Sequence, residues 1–89
     1  MRMRKGFVMR EVAGQCVVIA IGEASKTFHG MIKLNSTGKD IWEGLQEGQD
    51  EEQIIALLVE KYQVEQEQVR EDVQEFLKQM KEAGILADE

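Results

Sequence analysis

Residues 34–45, Leu-Asn-Ser-Thr-Gly-Lys-Asp-Ile-Trp-Glu-Gly-Leu, divide the chain into an extended half and a helical half. Asn35, Ser36 and Thr37 carry side-chain oxygens that can accept from the unpaired amides of a first helical turn. Ile41, Trp42 and Leu45 then come at helical spacing. The residues before this stretch read as strand and those after it as helix, so a helix must start here with the sheet already behind it. Trp42, the only tryptophan, brings one of the largest apolar surfaces in the chain to that junction. It is expected to be a core aromatic that plugs the meeting point of sheet and helices.

The extended half contains three strand candidates. Phe7–Val12 and Cys16–Ile21 are rich in Val and Ile and are separated by Ala13-Gly14-Gln15, which suits an antiparallel hairpin. Both alternating sets of the second candidate are apolar, which suits either a central strand covered on two sides or a weakly specified register. Gly22–Gly30 is a polar connector, and Met31–Leu34 is a short third strand with Ile32 and Leu34 on one face, Met31 and Lys33 on the other. The helical half divides at glycine and capping signals. Helix one spans about 36–46 and stops at Gly48; Asp50 caps helix two with Gln53 three residues on, in the manner of a capping box. Helix three spans about 66–83, with Val69, Val73, Phe76, Leu77 and Met80 at steps of three and four, and ends at Gly84. The expected fold is α+β: a three-stranded antiparallel sheet followed by three helices, similar to a winged helix-turn-helix. Residues 7–86 form one domain, with 1–6 as a flexible arm and 87–89 as a tail.

Several classes of function are excluded by what the chain lacks. Its 89 residues, 43% hydrophobic and 31% charged, describe one small globular domain. The longest apolar run, 16–21, is far short of the roughly 20 residues that span a bilayer. No secretory leader is recognisable, which points to the cytoplasm and to no membrane partner. One cysteine, Cys16, and one histidine, His29, provide neither a disulfide nor a zinc cluster. Cys16 reads as a small buried side chain and His29 as a solvated loop residue. No phosphate-binding glycine loop, calcium loop or nucleophile–base–acid spacing is present, so no metal, no cofactor and no catalytic residue is expected.

Charge is segregated along the chain. Residues 1–42 hold seven Lys/Arg and three acids, whereas residues 43–89 hold four and fourteen. A DNA-reading helix three is disfavoured on this ground, because residues 65–82 set six acids against Arg70, Lys78 and Lys81. Phosphate contacts supply much of the affinity for DNA, and such a helix repels them. No nucleic-acid partner is therefore expected.

The ordered set Leu34-Asn35, Thr37-Gly38, Ile41-Trp42, Leu45, then Ile54, Leu58, Tyr62, Asp72-Val73, Phe76-Leu77 and Gly84-Ile85-Leu86 resembles the PqqD family. The resemblance runs from Phe7 to the end of the domain. The absence of proline and the Ile-Trp-Glu-Gly-Leu wording of helix one depart from members serving pyrroloquinoline quinone synthesis, so the broad family is what it implies. It implies a noncatalytic adaptor that captures the leader of a ribosomally made precursor peptide and presents it to a modifying enzyme, often a radical SAM protein. It further implies that the leader adds as an antiparallel strand beside the third strand, against helix three.

Carried onto this chain, the resemblance makes Met31, Ile32, Lys33 and Leu34 the receiving edge. An open strand edge presents amides and carbonyls that any extended peptide can satisfy, while side-chain pockets select among peptides. On helix three, Arg70, Gln74, Lys78 and Lys81 lie three or four residues apart beside Val73 and Leu77, a flank suited to acidic leader side chains. The competing reading has these residues as ordinary exposed positions pairing with nearby Glu and Asp. A purely structural role is the other alternative, because the same sheet edge can accept a second copy and give a homodimer.

Overall fold

The hairpin is tighter than its composition suggests. Val12 pairs with Gln15, leaving only Ala13 and Gly14 in the turn, with φ of 52° and 82°. Two consecutive left-handed residues match the right-handed twist of the strands they join. The computed structural model describes residues 2–26 and 30–87. Its elements in order are β1 (Arg2–Met3), β2 (Phe7–Val12), β3 (Gln15–Ala20), a 3-10 helix (Gly22–Lys26), β4 (Met31–Leu34), α1 (Ser36–Gln46), α2 (Glu51–Tyr62), α3 (Gln66–Glu82) and β5 (Leu86–Ala87). The chain is thus α+β, with a three-stranded antiparallel sheet followed by three helices. His29 lies outside the described residues.

Strand order β2-β3-β4 makes β3 central, and it carries a buried valine on each face. Val18 faces the helices and is fully buried, with Met9 and Ile32 opposite it on the neighbouring strands. Val17, on the other face, is equally sequestered, flanked across the register by Arg10 and Lys33 with their long aliphatic stems. The twofold apolar pattern of this strand is thereby accounted for.

Trp42 is fully buried in one cluster with Val18, Ile41, Ile54, Ile55, Leu58, Val73, Met80 and Ile85, which joins the sheet to all three helices. Among the described residues its indole nitrogen has no hydrogen-bond partner, and the ring is held by apolar packing on every helix. Capping sets the helices' ends. The Asn35 side chain accepts from the Gly38 amide at 2.8 Å, and Asp50 and Gln53 exchange reciprocal bonds of 2.8 and 2.9 Å. Gly48 and Gly84, both at φ 83°, lie just beyond the ends of α1 and α3.

The arm expected at residues 1–6 is not free over its described part. Arg2 pairs with Ala87 and Met3 with Leu86, and the Arg4 amide donates to the Ile85 carbonyl at 2.8 Å. The physical reason is the apolar content of the two ends: Ile85 and Leu86 are buried, and Met3 packs against the same core. The connector also carries more order than its polarity suggests, since Gly22–Lys26 forms the 3-10 helix and Ser25 Oγ donates to the Gly22 carbonyl.

Candidate functional site

β4 hydrogen-bonds to β3 on one side, and no strand among the described residues pairs with its other side. The alternate amides and carbonyls directed away from β3 are therefore available to an extended chain. Beside this edge lies a cavity of about 740 Å³. Ile32, Lys33 and Leu34 form one wall, Asn35, Gly38 and Lys39 of the α1 start form the end, and Phe76 and Gln79 of α3 form the opposite wall.

The closeness of α1 to α3 depends on Gly38. A methyl group on its α-carbon would stand 3.2 Å from Phe76 Cε2 and 3.3 Å from Asn35 Oδ1. The glycine of the Thr37-Gly38 pair therefore lets the Phe76 ring sit at the base of the cleft while Asn35 caps the helix beside it. A shallower depression of about 250 Å³ continues from the same Asn35, Gly38, Phe76 and Gln79 toward Thr37, Asp72 and Glu75. Lys33 and Lys39 thus mark the β4 end of the furrow, and Asp72 and Glu75 mark its far end.

The sequence-derived residues divide between this furrow and other surfaces. Ile32, Lys33 and Leu34 line the cavity; Met31, 57% exposed, lies on the outward sheet face opposite Ile19. Val73 and Leu77 are buried core residues, not groove residues. Arg70 donates to both carboxylate oxygens of Glu52, at 2.6 and 3.2 Å, and Gln74 donates to Glu51 at 3.2 Å. That flank of α3 faces the first turn of α2, and the Arg70 guanidinium holds the Glu52 carboxyl below the usual carboxylate range. Lys78 and Lys81 are exposed and do not line the cleft.

Sequence reasoning missed the opposite flank: Asp72, Glu75, Phe76 and Gln79. These recur at three, four and seven residues, a stripe immediately beside the core stripe. The visible signal was Phe76, a large aromatic at the border of the apolar face, together with a glycine in the first turn of α1. Among the described residues no group of His, Cys, Asp and Glu is arranged to hold a metal ion. No helix there is long and apolar enough to cross a membrane.

A separate polar cluster ties α1 to the end of α2. Asp40 accepts from Lys61 Nζ at 2.9 Å and from the Tyr62 hydroxyl at 2.5 Å. These hydrogen bonds raise the pKa of both donors, since each must lose its proton while held by a carboxylate.

Two solved structures share this architecture. One, described as TbiB1 in complex with the TbiA(beta) leader peptide, superposes with a TM-score of 0.81 at 21% identity, covering 100% of this chain and 98% of that one. The other, lasso peptide synthetase B1 complexed with the leader peptide, gives 0.76 at 20% identity, covering 94% and 93%. No curated protein gives a significant match. The family profile described as Coenzyme PQQ synthesis protein D (PqqD) matches residues 15–86, which include the β4 edge, the capped start of α1 and the Phe76 wall. The chain belongs to the PqqD family.

Proposed function

We propose that the protein binds the leader segment of a ribosomally synthesised precursor peptide by strand addition to β4 and presents it to a modifying enzyme. The observation that carries this reading is the open β4 edge facing a cleft whose far wall is Phe76 and Gln79. Main-chain hydrogen bonds along 31–34 supply affinity for an extended peptide. The apolar pocket of Ile32, Leu34 and Phe76 selects a side chain of the added strand, and Lys33 and Lys39 favour an acidic neighbour. Support comes from the two similar structures, both of which are complexes with leader peptides.

In this reading the protein itself performs no chemistry. The modifying enzyme, of radical SAM or another type, acts on the core segment while the leader stays in the cleft. An ordered strand formed from a flexible peptide pays an entropic cost on binding, so moderate affinity and fast exchange suit a carrier that hands its cargo on. The acids Asp72 and Glu75 beside the cleft count against DNA as the ligand.

The test is amide hydrogen exchange with and without synthetic peptides encoded by short open reading frames close to this gene. Strand addition protects outward-facing amides among 31–34. Saturable binding that leaves all of these amides unprotected would overturn the reading. Ile32→Pro, which removes an amide and restrains the edge, should weaken the same complex, with circular dichroism confirming that the variant is folded.

A further inference from the structure

The surface between α1 and α2 holds a second concavity, of about 310 Å³, which shares no lining residue with the β4 cleft. Its floor is Ile54 and Leu58, both buried, and Leu57 stands at its edge 51% exposed. Gly44 holds the helices close at this point, because a methyl group there would come within 2.9 Å of Ile54 Cγ1. An exposed leucine over an apolar floor is the part of the α2 surface that gains most from being covered.

The rim is predominantly acidic. Glu43, Glu47 and Glu60 line it and form no ion pair among the described residues. Lys61, the only cation among the described residues of the rim, is held on Asp40 and is therefore already neutralised. With Lys61 already bound to Asp40 and also within the field of Glu43, the rim keeps a surplus of carboxylates around an apolar notch and matches a segment with the reverse pattern.

We propose that the α1–α2 notch docks a cationic amphipathic segment of a partner protein, placing an apolar side chain against Ile54, Leu57 and Leu58 and Lys or Arg beside the rim carboxylates. The apolar contact supplies most of the holding force, and the charges select the partner and speed its arrival. The inference does not depend on what occupies β4, and the separation of the two surfaces lets both be filled at once.

The test is a two-dimensional NMR titration of the full chain with a synthetic amphipathic peptide of leucines and lysines. Two control peptides replace either the leucines by serine or the lysines by glutamate. The expected result is saturable shifts at Gly44, Leu57 and Leu58, with amides 31–34 unmoved and each control at least tenfold weaker. Leu57→Glu, exposed and so compatible with folding, should weaken the parent peptide at least tenfold with an unchanged far-ultraviolet spectrum. Equal binding by the serine control, shifts centred on β4, no binding of the parent peptide, or undiminished binding to Leu57→Glu would overturn the proposal. Light scattering that shows a dimer dissolved by the peptide would also overturn it, by assigning the notch to a second copy of the chain.

Discussion

The Phe76 ring of α3 packs against the α-carbon of Gly38 in α1, so closely that a methyl group on that carbon would lie 3.2 Å from Cε2. Gly38→Ala should therefore move Phe76 more than it moves the fold. Alanine gains up to about 1 kcal/mol of helix propensity, which offsets a crowding cost of about 1–3 kcal/mol against a ring that borders open space. The expected outcome is a loss of stability of about 2 kcal/mol or less by urea unfolding. Leader affinity, measured by calorimetry, should fall about tenfold.

Asn35→Ala removes the side-chain acceptor of the Gly38 amide at the start of α1. Loss of such a cap costs about 1 kcal/mol. For a domain of this size the melting temperature should fall by about 4–8 °C for each kcal/mol lost.

Charge reversal separates the two flanks of α3. Lys33→Glu with Lys39→Glu acts on the outward face of the β4 edge and at the α1 end of the cleft, and should weaken an acidic leader several-fold more than a neutral one, with the difference shrinking at high salt. Lys78→Glu with Lys81→Glu acts outside it and should leave the affinity ratio of the two leaders unchanged. Equal discrimination by both double variants would show that the cleft lysines do not read leader charge.

Ala13 occupies a left-handed conformation at φ 52°, where a side-chain β-carbon is crowded by the backbone. Asparagine tolerates this region, and Asn-Gly is a favoured pair in two-residue hairpin turns. Ala13→Asn should raise stability by up to about 1 kcal/mol, seen as a later urea midpoint with an unchanged slope.

Tyr62 is the only tyrosine, so its ionisation can be followed by absorbance without interference from another phenol. Its hydroxyl donates to Asp40, which raises its pKa in the folded state. A raised folded pKa means a contribution to stability that is complete below the ordinary tyrosine range and is lost as pH climbs through the raised value. Lys61, raised by the same carboxylate, acts in the same direction. Asp40→Asn should bring the tyrosine titration down toward its ordinary range and flatten the alkaline loss of stability. Glu52 works at the opposite end of the scale. Its pKa is lowered by Arg70, so its contribution is present above the ordinary carboxylate range and fades as pH falls through the lowered value.

Features written into short stretches of chain were legible. The Asp50–Gln53 capping box, the glycine stops at Gly48 and Gly84, and the Val-rich hairpin each depend on residues within a few positions of one another. The β4 strand was also legible as a short apolar alternation between a polar connector and a capped helix, whereas its open edge was implied by the family resemblance. The hidden features depend on distant partners. Arg70 reads as available for a ligand because its acceptor, Glu52, lies 18 residues earlier on another helix. A helical wheel gives no sign of which flank meets α2 and which meets the sheet edge. The β1–β5 ribbon escaped for a related reason: two residues at each end carry no period, and only the buried core beneath Met3, Ile85 and Leu86 orders them.

That ribbon sets how the molecule would respond to tension. Arg2 and Ala87 are opposite one another at its outer end, so traction on the two termini loads the cross-strand bonds one at a time, as in a peeled seam. Met3 and Leu86 would be drawn out next, before load reaches the Trp42 cluster that joins sheet to helices. A tether attached at both ends would strip this clasp at low force and leave the furrow beside β4 intact until the interior yields.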